Sequence, residues 1–164
     1  MKATKARKSS LFRVFVASLA LAALVMAAAP TQAQEQPKQK YPVFTADHLD
    51  EAMKTVGLAF TLTRSAIDKN SAENAKDYLI RARDQLATTI TYWRDRKNED
   101  AITILRETLK KMDALDAAMS AESIDMKAAS TLAASVNQSC ESCHAKYRDQ
   151  DPATKAYRVK PDAR

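Results

Sequence analysis

Two cysteines and a histidine stand together near the C-terminus, in the order Cys140-Glu141-Ser142-Cys143-His144. The chain has no other cysteine and one other histidine, His48. C-x-x-C-H is the pattern that attaches a c-type haem. Its spacing has a chemical reason: the two thiols add to the two vinyl groups of the macrocycle, and the adjacent imidazole then lies under the iron as proximal ligand. Three other readings compete for these residues. A thioredoxin-like dithiol belongs with a βαβ context, and no strand-like alternation is sustained here. Zinc asks for four ligands, and His48 is the single further histidine or cysteine. A chance structural pair is the third. One haem c, held by Cys140 and Cys143 and ligated by His144, is the expectation.

The opposite face of such an iron decides its use. An open position binds small ligands, whereas a sixth protein ligand favours electron transfer with little rearrangement. His48 and Met53 are the candidates. Five residues separate them, about 500° of helical turn or roughly 140° net, so they cannot share a core-facing side. Met53 is in phase with Leu49, Val56 and Phe60, which leaves His48 near the surface. On spacing alone, Met53 is either a packing side chain or a ligand.

These residues need elements to position them. Glycine occurs once, at Gly57, and Ala, Leu, Lys, Glu, Gln, Arg and Met dominate, as helices prefer. The pattern predicts an all-α chain. A first helix from about Asp47 to Asp68 has Thr45 or Asp47 as N-cap and an apolar stripe Leu49, Met53, Val56, Phe60, Ile67. A second follows Ser71, a natural N-cap, and runs to about Arg96 with Ala75, Tyr78, Leu79, Ala82, Leu86, Ile90 and Trp93 on one face. Asn98 caps a third, whose stripe is Ile102, Leu105, Leu109, Met112 and Leu115, and a break follows at about 120–123. The fourth runs from about Asp125 to Arg148, with Ala128, Leu132, Val136, Cys140, Cys143 and Tyr147 on related faces, and Pro152 marks its end. Four such helices with short connections are most simply an antiparallel up-down-up-down four-helix bundle. In that topology the start of the first helix and the end of the fourth lie at the same end, which brings Met53 and His144 to similar heights.

The N-terminus reads differently. Lys2, Lys5, Arg7, Lys8 and Arg13 precede the apolar run 14–29, and Pro30-Thr31-Gln32-Ala33 offers small residues where a signal peptidase cuts. Residues 1–33 are therefore expected to be a secretory signal, 34–45 an extended leader, 46–151 the helical domain and 152–164 a solvated C-terminal tail. The apolar run is shorter than the roughly 20 residues of a comfortable membrane span, so no stable insertion is expected after cleavage. The whole chain carries +6, but the signal holds five of its 26 Lys and Arg residues and none of its 20 Asp and Glu. What remains is nearly neutral and lacks the concentrated cationic surface that nucleic acid requires.

The string Cys-Glu-Ser-Cys-His-Ala-Lys-Tyr-Arg from 140 to 148, at the end of the last helix of an exported four-helix chain, resembles the cytochrome c-prime family. That family's pattern is C-x-x-C-H-x-x-[FY]-R, which Tyr147 and Arg148 complete. The segment Asp47-His48-Leu49-Asp50-Glu51-Ala52-Met53-Lys54-Thr55 resembles the first helix of the six-coordinate, low-spin relatives of that family and of the bundle cytochrome b proteins. The resemblance implies Met53 as distal iron ligand and a periplasmic electron carrier rather than an enzyme, with redox proteins as partners. Family members often pair through helix faces, which makes a homodimer one available state. Arg148 is a candidate contact for a haem propionate or for the face of His144, and a solvated last-turn arginine is the alternative. The alternative function is a five-coordinate protein that binds nitric oxide or carbon monoxide beside a merely packing Met53.

Overall fold

The computed structural model describes residues 43–163. The expected signal segment and all but the end of the leader lie outside the described residues. The described chain is mainly helical, in the order α1 (Ala46–Asp68), α2 (Ala72–Thr88), α3 (Ile90–Asp95), α4 (Glu99–Met119) and α5 (Met126–Tyr147), followed by β1 (Arg148–Gln150) and β2 (Tyr157–Val159). No described helix is long and apolar enough to cross a membrane.

Local chemistry sets these boundaries. Thr45 caps α1, accepting from the His48 N–H at 3.1 Å, and Asn98 caps α4, accepting from Ala101 N–H at 2.9 Å. Asp125 caps α5 by accepting from Lys127 and Ala128 at 2.9 and 3.0 Å. Each satisfies a backbone donor that the first turn leaves without a partner. Ser71 holds the N-cap position of α2 but makes no capping bond; its hydroxyl accepts from the Asn74 amide at 2.8 Å instead.

The second helix is not continuous to Arg96. It breaks at Thr89, which is wholly buried and whose hydroxyl donates to the Leu86 carbonyl at 2.7 Å. That local bond competes with regular helical pairing. The short α3 then places Tyr92 and Trp93 in the core.

Helix α1 packs on α2 and α5, α2 on α4, and α4 on α5. Leu79, Met112, Leu115, Met119 and Val136 are the largest apolar side chains sealed within the helical core. Polar links tie the surfaces of these pairs. Arg83 of α2 forks onto Asp113 of α4, and Lys76 reaches Ser120 at 2.6 Å. Between α4 and α5, Lys111 reaches Ser139 at 2.6 Å and Lys146 reaches Asp100 at 2.7 Å. Within each pair the numbers rise on one helix as they fall on the other, so α2 runs antiparallel to α4 and α4 to α5.

The mainly helical chain agrees with the all-α expectation, and a short hairpin follows the last helix. Helix α5 stops at Tyr147, and β1 pairs antiparallel with β2 in the register Arg148 with Val159 and Gln150 with Tyr157. The turn is built by Asp151, whose carboxylate accepts from Ala153 and Thr154 N–H at 2.9 and 2.8 Å. This Asx turn reverses the chain. Lys160 then ties back to the helix end through its N–H to the Tyr147 carbonyl at 2.9 Å and its ammonium to the Ala145 carbonyl at 2.8 Å. Val159 packs against the core and Ala163 is buried in it.

Candidate haem site

Helix α5 carries the motif in its last two turns. Cys140 and Cys143 are about 60° apart around the axis, and His144 is about 40° from Cys140, so all three lie on one arc of the helix. Both cysteines are free thiols, half-buried, and packed against the core. Burial pushes the Cys143 thiol up to about 11, with the neighbouring Cys140 and Asp100 adding to the effect. Burial raises Cys140 as well. His144 is shifted the other way: partial burial disfavours its charged form, and the positive Arg148 adds to this. Both effects favour the neutral imidazole, the form whose lone pair can bind a metal.

The end of the molecule around this arc is defined by contacts. Tyr147 is buried, with its ring 5.0 Å from that of Trp93, which in turn meets Tyr92 edge-on at 5.1 Å. The Tyr147 hydroxyl donates to the Asp100 carboxylate and lies 3.3 Å from Asn98 Oδ1. The start of α1 reaches the same place: the Val43 carbonyl accepts from the Thr91 hydroxyl at 2.7 Å, and the Phe44 carbonyl from Arg96 at 3.4 Å. Thus α3 touches both the segment entering α1 and the end of α5.

Met53 is half-buried on α1, packed against the core between the fully buried Ala52 and Val56. His48 is expected near the surface. It is half-buried, and its Nδ1 is shielded from solvent without a hydrogen-bond partner among the described residues. Trp93 Nε1, also buried, is in the same condition. Arg148 is exposed, with its guanidinium 4.1 Å above the ring of Tyr157. With His144, Glu141, Ala145 and Tyr157 it lines an open recess of about 320 Å³ between α5 and the hairpin. Neither cysteine opens onto that recess.

The donor chemistry fits a covalently attached haem. Thioether formation needs thiols presented on one side of the chain, not thiols converging on a point. Among the described residues no three His, Cys, Asp or Glu side chains gather as a bare-metal site. A redox dithiol wants a lowered thiol pKa, and here both are raised. His48 Nδ1 and Trp93 Nε1, buried and unpaired among the described residues, mark polar capacity that those residues do not use.

No local pattern in the sequence marks Lys111 or Tyr157. Lys111 sits on α4, twenty-nine residues before Cys140, and only helix pairing brings it to the motif. Tyr157 lies in the segment expected to be a tail. No family model, curated protein or solved structure matches this chain.

Proposed function

We propose that this chain is an exported c-type cytochrome that carries electrons through one covalently bound haem, with its long helices forming an antiparallel up-down-up-down bundle. The observation that carries the reading is the arc of Cys140, Cys143 and a His144 shifted toward its neutral form, at the end of α5 to which the start of α1 also comes. When bound, the haem supplies an iron that cycles between ferric and ferrous states.

The chain's own residues would do the rest. Cys140 and Cys143 fix the macrocycle to α5, and His144 ligates the iron. Met53, half-buried on the core side of α1, is the proposed sixth ligand, and its soft sulfur would favour the ferrous state and raise the potential. Arg148 holds a positive charge beside His144 and is the proposed propionate contact. The antiparallel contacts of α2 with α4 and of α4 with α5 support the bundle, with α2 and α3 together as its second arm. The likeness to the six-coordinate relatives of cytochrome c-prime belongs to this proposal, as do periplasmic delivery by residues 1–33 and redox proteins as partners.

The test is an optical spectrum of the purified mature protein, ferric and ferrous, before and after carbon monoxide, beside its intact mass. A mass increase of one haem, a low-spin spectrum with a weak near-infrared sulfur-to-iron band, and no rapid response to carbon monoxide are expected. Met53→Ala should then give a high-spin form that takes up the gas. A wild-type ferrous form that binds it promptly assigns Met53 to packing and the protein to gas binding. A mature protein without covalent haem ends the reading.

A further inference from the structure

We propose that Lys111 sets the reduction potential of this haem, as a fixed positive charge held against the attachment helix. The inference rests on haem attachment at Cys140 and Cys143.

Lys111 differs from the paired cations around it. Lys146 is matched by Asp100, Arg83 by Asp113, Arg158 by Asp149 and Lys110 by Glu107. Lys111 is half-buried, and no carboxylate of the described residues lies within salt-bridge distance of it. Its ammonium instead donates to the Ser139 hydroxyl at 2.6 Å and approaches the Ser135 carbonyl at 3.4 Å. Ser139 is itself buried, 8 % exposed, and its hydroxyl donates onward to the Ser135 carbonyl at 3.3 Å. Two neutral oxygens therefore hold the charge in place without cancelling it.

The position of that charge matters. Ser135, Ser139 and Cys143 follow one another at four-residue steps, so they form one row along α5. Cys140 is the next residue after Ser139. The ammonium is thus seated one turn before one attachment cysteine and beside the other. A long, flexible lysine gains more by reaching bulk water than by a partly desolvated position, unless specific acceptors retain it. Here the two serines supply them.

The electrostatic sign follows directly. The ferric centre carries one more positive charge than the ferrous, so a fixed cation nearby disfavours the oxidised state and raises the potential. The thioethers occupy one edge of the macrocycle and the carboxylates leave from the opposite one. An ammonium beside the cysteines therefore acts on the ring and iron rather than pairing with a propionate. Arg148, the other cation near the motif without a carboxylate partner among the described residues, is exposed and more heavily screened by solvent.

The experiment uses the mature holoprotein, its Lys111→Met and Lys111→Arg variants, and Ser139→Ala, which frees the ammonium to swing into solvent. Haem content and the low-spin spectrum are checked first, and each protein is then equilibrated with one-electron mediators. Lys111→Met should move the ferric/ferrous equilibrium constant about tenfold toward ferric, the size expected for one charge at protein-like screening. Lys111→Arg should restore it, and Ser139→Ala should give a smaller shift of the same sign. The Lys111→Met shift should persist in high salt. Equal potentials for wild type, Lys111→Met and Ser139→Ala, with full haem in each, overturn the role of Lys111 alone. If Lys111→Met does not fold, an unshifted Ser139→Ala does the same. A wild-type protein without haem overturns the attachment reading and this one with it.

Discussion

The two sides of this molecule are held together differently. The α1–α2 hairpin and its contact with α4 rest on bulky apolar side chains: Leu49, Phe60, Ile67, Leu79, Leu86, Met112 and Leu115 are all buried. Helix α5, which carries the motif, brings small residues to the core along most of its length, namely Ala129, Ala133, Val136 and Ser139, and the large Tyr147 only at its last residue. Its attachment to α4 is reinforced by polar links at Ser139, Lys146 and Tyr147. Burial of large side chains provides the greater share of stability. The small-residue helix contributes less of it and leaves its polar groups available for a site. Most of the bulky buried side chains and the proposed haem motif thus lie on different helices.

Substitutions on the two sides should separate these roles. Replacing both Cys140 and Cys143 with Ala should abolish covalent haem completely, read as loss of the haem increment in the intact mass, while the helical circular dichroism of the apo chain survives. Collapse of the apo fold would show that the motif is structural after all. In the apo chain, the Cys143 thiol near 11 leaves roughly a hundredfold less thiolate at neutral pH than an ordinary buried-free thiol near 9, so iodoacetamide should label it correspondingly slowly. The rate should climb about tenfold per pH unit below that value. On the other side, Leu79→Ala should cost about 2–5 kcal/mol by removing a 1 % exposed side chain from the α1–α2–α4 contact. Urea unfolding of the apo chain at unchanged slope is the measurement. Val136→Ala on α5, equally buried but losing only two methyl groups, should cost about 2 kcal/mol. Equal costs at the two sites would erase the distinction.

This difference also explains what the sequence discloses. Where large apolar residues recur at helical spacing, as at Leu49, Val56 and Phe60 or at Ile102, Leu105 and Met112, the buried face is legible from the pattern. On α5 it is not. Ala128 was expected inside and is exposed, while Ala129 and Ala133 face the core. Alanine occurs on nearly every side of that helix, so hydrophobicity does not fix its rotation. The C-x-x-C-H arc is legible because its three residues lie within five positions of one helix. Lys111 is not, because it reaches the motif only through the pairing of α4 with α5. The hairpin left a partial signal: Asp151-Pro152 is a turn dipeptide and Tyr157-Arg158-Val159 has strand character, but each strand is only three residues long. The break at Thr89 left none, since no glycine or proline marks it.

A smaller effect tests the polar reinforcement itself. Lys146 first, and Tyr147 second, hold the Asp100 carboxyl below its ordinary range. A carboxyl depressed in the folded state adds stability at pH values above its unfolded pKa, near 4, and loses it as pH falls through the folded value. Tyr147→Phe removes the hydroxyl but keeps the ring against Trp93. It should lower the urea midpoint by less than Leu79→Ala does, and it should flatten the decline of stability on the acid side. A midpoint unchanged at neutral pH would mean that the ring alone holds the end of α5.

The smallest expected effect compares two helix ends with the same backbone and different residues. After α1, Asn70 has φ 55°, with its N–H bonded to the Ile67 carbonyl and that of Ser71 to Ala66, both at 2.9 Å. After α3, Lys97 has φ 55°, with its N–H bonded to Arg94 at 2.9 Å and that of Asn98 to Trp93 at 3.0 Å. Both are left-handed caps of the Schellman type. Asparagine tolerates that conformation, whereas lysine bears a cost of about 1–2 kcal/mol, of which glycine's greater freedom in the unfolded chain returns roughly half. Lys97→Gly should therefore stabilise the protein by about 0.5–1 kcal/mol, and Asn70→Gly should change it little. Lys97 begins the link into α4, where Asn98 and Asp100 meet Tyr147, so the gain should appear as slower hydrogen exchange at the start of α4. A gain of equal size at Asn70 would show that glycine helps any such cap, and that the lysine at the motif end carries no particular strain.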